Sequence, residues 1–332
     1  QAAGITTGAQ IYDFIMADID AAIDLGALPL RTSKENDGRV SQSALLMLKA
    51  RVIMYQNDQT RYSEVLADMN KVISEGGYTL VDYVSIWPRE GEFCDESIFE
   101  VNHLPGEYGG KTWSSGWSGF GTNLPAFISP NDLKGSETFK GGWGFGPVRS
   151  TTYAIFEEGD VRRDASINNF TSDEYSYAAR FQNTGYFMAK YAARVGYNEP
   201  PGDTDLNYEN NLRIFRLAEA YLNVAELIAI HGVAQGTGLS AQDALDEIRT
   251  RAGVGSIPAT GANIKLERRR EFVGEGMRFW DLVRWGDADI LTENLAEYSS
   301  VRTWESYKKY LPIPQSEIDK TEGEFKLEQN QY

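Results

Sequence analysis

The chain is poor in the residues that build cross-links and metal centres. It has one cysteine, Cys94, which excludes an internal disulfide. Its two histidines, His103 and His231, fall short of the clustered His, Cys or carboxylate ligands of a zinc site and read as surface or helix-end residues. No EF-hand loop is visible among the many acidic residues, so no metal and no cofactor is expected. No apolar run approaches the ~20 residues of a membrane helix. Basic residues are scarce: 32 Lys and Arg stand against 48 Asp and Glu, a formal net charge of −16. Such a surface opposes nucleic acid, whose phosphates need a basic footprint, and otherwise serves solubility. No signal peptide is present and the first residue is Gln1 rather than Met. The sequence therefore reads as a processed or truncated product, with any membrane link supplied by residues outside it.

Apolar residues make up 42% of the 332 positions and aromatics 12%, including 7 Trp and 18 Tyr, more than a disordered chain would carry. The first third, residues 1–95, reads helical. Ile11, Ile15, Ile19 and Ile23 recur every fourth position with Phe14 and Ala22 beside them, predicting a helix over about residues 9–25 that "LGALP" ends. Ser41 is placed to cap a second helix with an apolar face of Leu45, Leu48, Val52 and Tyr55. Val65, Leu66, Met69, Val72 and Ile73 form a third stripe, closed at Gly76 and Gly77. Two helices joined by a short polar turn make a tetratricopeptide-like hairpin, or an ordinary helical pair.

Residues 96–210 differ. "ESIFEVNH" alternates as a strand over about 96–103. From Gly106 to Arg149 periodicity disappears, in a stretch with eleven of the 32 glycines and three of the seven tryptophans. Irregular excursions of that length are functional or disordered, and the aromatics favour function. "TTYAIFEEGDVRRDASI" resumes a short helix and a turn, and "GYFMAKYAARV" suits a strand. In residues 211–332, Ile214, Leu217, Tyr221, Leu222, Ala225 and Ile228 form a helical stripe ending at Gly232. Ala241, Ala244, Leu245 and Ile248 form the next, a third helix spans about 263–275, and prolines keep "YLPIPQSEID" extended. One compact fold is expected rather than independent domains.

The segment "LERRREFVGEGMRFWDLVRWG" (266–286) resembles the signature of the SusD/RagB family of nutrient-binding outer-membrane lipoproteins. "FRLAEAYLNVAELIAIHG" (215–232) with "ALDEIRTRAG" (244–253) is similar to the helix pair that precedes it, and "YLPIPQSEID" (310–319) to the closing segment. "IYDFIMADIDAAI", "GRVSQSALLMLKARVIMY", "VISEGGYTL" and "DESIFEV" (95–101) match in the same order. The resemblance spans nearly the whole chain except the variable loop. The family carries well over a hundred further residues before this start, with the lipid-attached cysteine, and its "QNPGY" ending stands here as "EQNQY" (328–332). The resemblance implies a mainly α fold of tetratricopeptide-like hairpins with a long loop-rich segment and a few short strands. It also implies a non-catalytic glycan-capture protein on the cell surface, lipid-anchored in its full length and partnered by a SusC-like TonB-dependent transporter.

Three adjacent arginines in "ERRRE" (267–271) suggest an anion site, but consecutive helix positions point in different directions, and the flanking glutamates suggest salt bridges instead. Phe279, Trp280 and Trp285 then read as core anchors. The glycan-binding candidates are Trp113, Trp117 and Trp143, followed by Tyr108, Phe120 and Phe145. All sit among glycines and off any period; ring faces stack on sugar C–H faces, and glycines let a flat ligand approach the backbone. The plainer alternative is that some rings only pin the loop down. Asn123, Asn131, Asp132 and Arg149 are unranked hydrogen-bonding partners. A glycoside hydrolase, or a carbohydrate module attached to one, is the alternative function: Glu157, Glu158 and Asp160 cluster near the loop, and hydrolysis needs two carboxyl groups about 5–10 Å apart. Peptide capture on the same fold is a lesser alternative. "GWSGF" (116–120) and "GWGFG" (142–146) lack the last glycine of a nucleophile elbow and of a dinucleotide fingerprint.

Overall fold

A computed structural model of the chain describes residues 7–114, 119–293, 301–321 and 326–330. Helix α1 (Gly8–Asp24) starts with a capping box, in which the Gln10 amide donates to Thr7 Oγ1 at 3.2 Å and the Thr7 amide to Gln10 Oε1 at 2.9 Å. Of its isoleucine stripe only Ile19 is buried, with Met16; Ile11 and Phe14 stand in solvent. Helix α2 (Gln42–Gln56) is capped by Ser41 Oγ as expected. Its core face is not the predicted one: Leu46, Met47, Ala50, Ile53 and Met54 are buried, while Leu48 and Tyr55 are exposed. The helix is apolar nearly all round, so periodicity alone could not choose the face. Helix α3 (Tyr62–Glu75) buries Val65, Leu66, Met69 and Val72 as read.

Strand β1 (Ser97–Val101) leads into the glycine-rich stretch, which is less irregular than expected, for it holds helix α4 (Leu124–Ile128) and strand β2 (Asn131–Lys134). Helices α5 (Ser150–Tyr153) and α6 (Arg162–Ser166) are short, and strands β3 (Ile167–Asn169), β4 (Ser176–Ala178) and β5 (Tyr186–Met188) follow. The strand predicted across "GYFMAKYAARV" stops at Met188, and the chain dives inward with Lys190, Tyr191, Ala192 and Ala193 buried. Strand β6 (Leu212–Arg216) takes Ile214, which the helical stripe had claimed, and pairs antiparallel with β1; β2 pairs with β4 and β3 with β5. Helices α7 (Leu217–Ala229), α8 (Ala241–Arg251) and α9 (Gly261–Glu271) follow, α8 and α9 both packing on α7. Helix α9 ends earlier than predicted, before Gly274 and Gly276 at φ of 83° and 77°. Helix α10 (Arg278–Trp285) carries the aromatic turn, and α11 (Gln315–Ile318) adds one helical turn to the tail read as extended. The main core joins α1–α3 to α7, through Met47, Ile53, Val65 and Met69 on one side and Ala220, Val224 and Leu227 on the other. Among the described residues no helix is long and apolar enough to cross a membrane.

The arginine run behaves as its helical spacing requires. Arg268 reaches Asn223 at 2.8 Å and Asp281 at 3.1 Å, Arg269 reaches Thr152 at 3.0 Å, and Arg270 reaches Glu157 at 2.7 Å, each in a different direction. Of the expected aromatic anchors, Trp285 donates to the buried Glu226 at 2.9 Å, and Glu226 also pairs with Arg284. Trp280 is 45% exposed, edge-on to Tyr55 and Phe279, so it is a surface residue and no core anchor. Phe279 is only partly buried.

Beneath these elements lies a buried ion network centred on Glu271. Its carboxylate accepts from Arg251 at 2.6 Å, Arg216 at 3.1 Å and Arg162 at 3.2 Å. Arg216 also donates to Glu96 at 2.5 Å and to Glu275 at 2.8 and 2.9 Å, and Lys190 reaches Glu275 at 2.6 Å. Burial pushes the Glu271 carboxyl up, but Arg251, Arg216 and Arg162 outweigh it and hold it well below the usual carboxylate range. Glu226 is depressed likewise, Arg284 overcoming its burial.

Removing one member of a buried network strands its partners. Glu271→Ala is expected to cost about 3–5 kcal/mol in urea unfolding, whereas Arg163→Ala, which breaks an exposed pair with Asp164, costs under about 1 kcal/mol. The native carboxyl groups of Glu226 and Glu271 titrate below their ordinary 4.5. Their contribution is therefore complete above that pH and lost as pH falls beneath it, so urea midpoints should decline on acidification below pH 4.5 and Glu271→Ala should flatten that decline.

Candidate functional site

The exposed aromatics of the glycine-rich stretch converge where residues 142–145 run beside α4. The Trp143 amide donates to the Ala126 carbonyl at 2.6 Å, Gly144 to Ser129 at 2.8 Å and Phe145 to Phe127 at 2.9 Å. That approach requires glycine at 142, where a Cβ would lie 2.2 Å from the Ala126 oxygen. The result is a row of rings. Trp143 meets Phe127 edge-on at 4.5 Å and Trp113 at 5.8 Å with a 40° tilt, and Phe127 meets Phe145 at 5.7 Å. Trp113 is 53% exposed and Phe145 49%.

Polar groups frame the row. Trp143 Nε1 donates to Asp205 at 3.2 Å, and the Trp113 amide to Asp203 at 2.7 Å. The Arg180 guanidinium lies 5.2 Å over the Phe145 ring and donates to the Trp143 carbonyl at 2.9 Å. Both aspartates belong to a loop clasped by the buried Asn207. Its Oδ1 accepts from the Lys111 amide at 2.8 Å, and its Nδ2 donates to the carbonyls of Lys111 at 2.9 Å and Asp203 at 2.7 Å. Trp113, Asn131, Trp143, Phe145, Arg180 and Asp205 line an open concavity of about 330 Å³. Ring faces with one amide, one carboxylate and one guanidinium around them suit a flat ligand with apolar faces and a hydroxylated rim.

Of the predicted residues, Trp113, Trp143, Phe145 and Asn131 thus come together. Phe120 is exposed with its ring against Gly109, and Tyr108 is exposed on the adjoining turn, both outside the row. Trp117 lies outside the described residues. Asn123 precedes α4, and Asp132 is exposed on β2 at a φ of 55°. Arg149 belongs elsewhere, paired with Glu293 at 2.5 Å on the wall of a larger cavity of about 760 Å³ that α10 borders. That cavity is the more voluminous, but its floor is formed by Phe272, Val273 and Leu282 of the signature region, without the exposed rings of the smaller one. Two members of the acidic cluster belong to the ion network, Glu157 paired with Arg249 at 3.0 Å and Arg270 at 2.7 Å and Asp160 with Arg162 at 2.8 Å, while Glu158 is exposed. Sequence reasoning missed Phe127, Arg180, Asp203 and Asp205. Phe127 lies in the same glycine-rich stretch, between Pro125 and Pro130, but without a glycine beside it; the other three are charged residues in loops with no distinguishing pattern.

A protein-family model described as the SusD family matches residues 95–332. A curated relative, SusD-like protein P38 from Formosa agariphila, is 26% identical over 319 residues; the match covers 84% of this chain and 58% of that protein, less than two thirds of its length. Among solved structures, the chain is similar to surface glycan-binding protein A from Bacteroides fluxus, at 56% identity and a TM-score of 0.92 over 97% of this chain and 70% of that one. It is similar to surface glycan-binding protein A from Bacteroides thetaiotaomicron in complex with laminarihexaose, at 41% identity and a TM-score of 0.91 over 99% and 72%. A laminarin binding SusD-like protein is 31% identical, with a TM-score of 0.84 over 98% and 69%.

Asn207 is the clasp of this site. Asn207→Ala should cost about 1–3 kcal/mol by stranding the Lys111 and Asp203 backbone groups. Tryptophan emission should shift to the red as Trp113 loses its tether, and fluorescence-monitored urea unfolding reads both effects.

Proposed function

Since this chain belongs to the SusD family, we propose that it captures a neutral β-glucan of the laminarin kind at the cell surface and passes it, uncleaved, to a SusC-like TonB-dependent transporter. The observation that carries the reading is the row Trp113–Trp143–Phe127–Phe145, framed by Asn131, Asp205 and Arg180. Pyranose rings offer C–H faces to such a row and hydroxyls to its rim. Laminarin as the ligand is supported by two relatives, one solved with laminarihexaose and one described as laminarin binding. The transporter, the outer-membrane location and the lipid anchor rest on the family.

Capture without catalysis is supported by the relatives' description as glycan-binding proteins and by the fate of the carboxylates. Asp203 and Asp205 hold the two tryptophans, and Glu157 and Asp160 hold arginines, so none is poised across a bond. Calorimetric titration with laminarihexaose should give saturable binding, and chromatography of the incubated sugar should give no shorter product. Trp143→Ala and Trp113→Ala should each weaken binding by about 1–3 kcal/mol, by analogy with base stacking on aromatic side chains. Turnover, or affinity indifferent to both tryptophans, would overturn the proposal.

A further inference from the structure

We infer that the glycan site continues past the tryptophan row into a second subsite headed by Phe181, and that the chain is thereby matched to an internal stretch of a linear glycan rather than to a terminal sugar. The inference rests on the capture reading above. A second concavity of about 440 Å³ is walled by Gly144, Phe145, Pro147, Arg180 and Phe181. Phe145 and Arg180 also line the first, so the two hollows lie side by side and share a wall. That shared wall is fixed: the Arg180 guanidinium lies over the Phe145 ring, and its Nη1 donates to the Trp143 carbonyl at 2.9 Å. Each hollow is of a size that holds a short ligand, and together they hold a longer one.

At the far end Phe181 is 69% exposed, a large apolar surface left in water. It is held there by design of the backbone. The turn 180–183 closes with the Asn183 amide donating to the Arg180 carbonyl at 3.2 Å, and Gln182 sits at a φ of 64°, the left-handed region that a non-glycine residue enters at a cost. Asn183 Oδ1 accepts from Tyr177 Oη at 3.0 Å and from the Gly185 amide at 3.3 Å, which locks the turn. A strained, braced turn that presents an aromatic ring outward beside a groove lined with further aromatics is placed to stack on a sugar. Arg180 and Gln182 line the same hollow and bring polar groups to it, as hydroxyl recognition needs.

Chain length separates the two hollows. Calorimetry would compare the wild type, Phe181→Ala and Trp143→Ala against laminarihexaose and against its shortest homologue that the wild type binds measurably. Phe181→Ala should weaken the hexasaccharide roughly five- to a hundredfold while leaving the short homologue within about twofold, and Trp143→Ala should weaken both. Unchanged melting temperatures check that each variant is folded. Wild-type hexasaccharide affinity in Phe181→Ala, or an equal loss for both sugars, would overturn the second subsite and leave the capture reading standing. A wild type that binds no member of the series would overturn the capture reading itself.

Discussion

The buried carboxylate of Glu271 is the point on which the architecture turns. It stands at the end of α9 and draws in Arg162 from the start of α6, Arg216 from the end of β6 and Arg251 from the end of α8; through Arg216 and Arg251 the network also holds Glu96, just before β1. Helical ends and strand ends thus meet at charge rather than at apolar surface. An ion group withdrawn from water contributes little net stability compared with an apolar core of similar volume. It does penalise every arrangement in which one partner is missing, and so specifies how the elements assemble. The hydrophobic core between α1–α3 and α7 supplies the burial; the ion network supplies the register.

Only with that frame fixed can the glycine-rich stretch be orderly with so little regular structure of its own. It is held by sets of hydrogen bonds: 142–145 to the end of α4, and the turn carrying Trp113 to the loop of Asn207 and Asp203. The scaffold is thus joined by buried ion pairs, and the ring-bearing surface by hydrogen bonds of main-chain amides.

Much of the scaffold was legible in the sequence because its signals are local. The Ser41 cap, the Val65–Met69–Val72 stripe and the α7–α8 pair depend on neighbours along the chain, and each appears where it was read. Face choice on α2 was not legible, because an apolar helix surrounded by others has no polar side to exclude. Trp280 misled for a related reason: its position in an aromatic turn resembles that of Trp285, yet only Trp285 finds a buried carboxylate, and that carboxylate lies on a distant helix. At the candidate site, Asn131 was one of four unranked polar partners, and Trp113, Trp143 and Phe145 stood out as aromatics off any period. Arg180, Asp203 and Asp205 did not, since their role comes from loops that fold back from far along the chain.

The way the ring row is fastened bears on how such a surface can diversify. Trp143 and Phe145 are positioned by their amides, which donate to the carbonyls of Ala126 and Phe127, and Trp113 by its amide on Asp203. Because the main chain sets these positions, the exposed side chains of Trp113 and Phe145 are largely released from holding the fold, while Trp143 also packs against Ala126, Ala193, Tyr197 and Tyr208. Substitution at Trp113 or Phe145 changes the exposed ring surface while the loop keeps its path, so the candidate site can diversify on a scaffold that stays constant, provided Gly142 is kept.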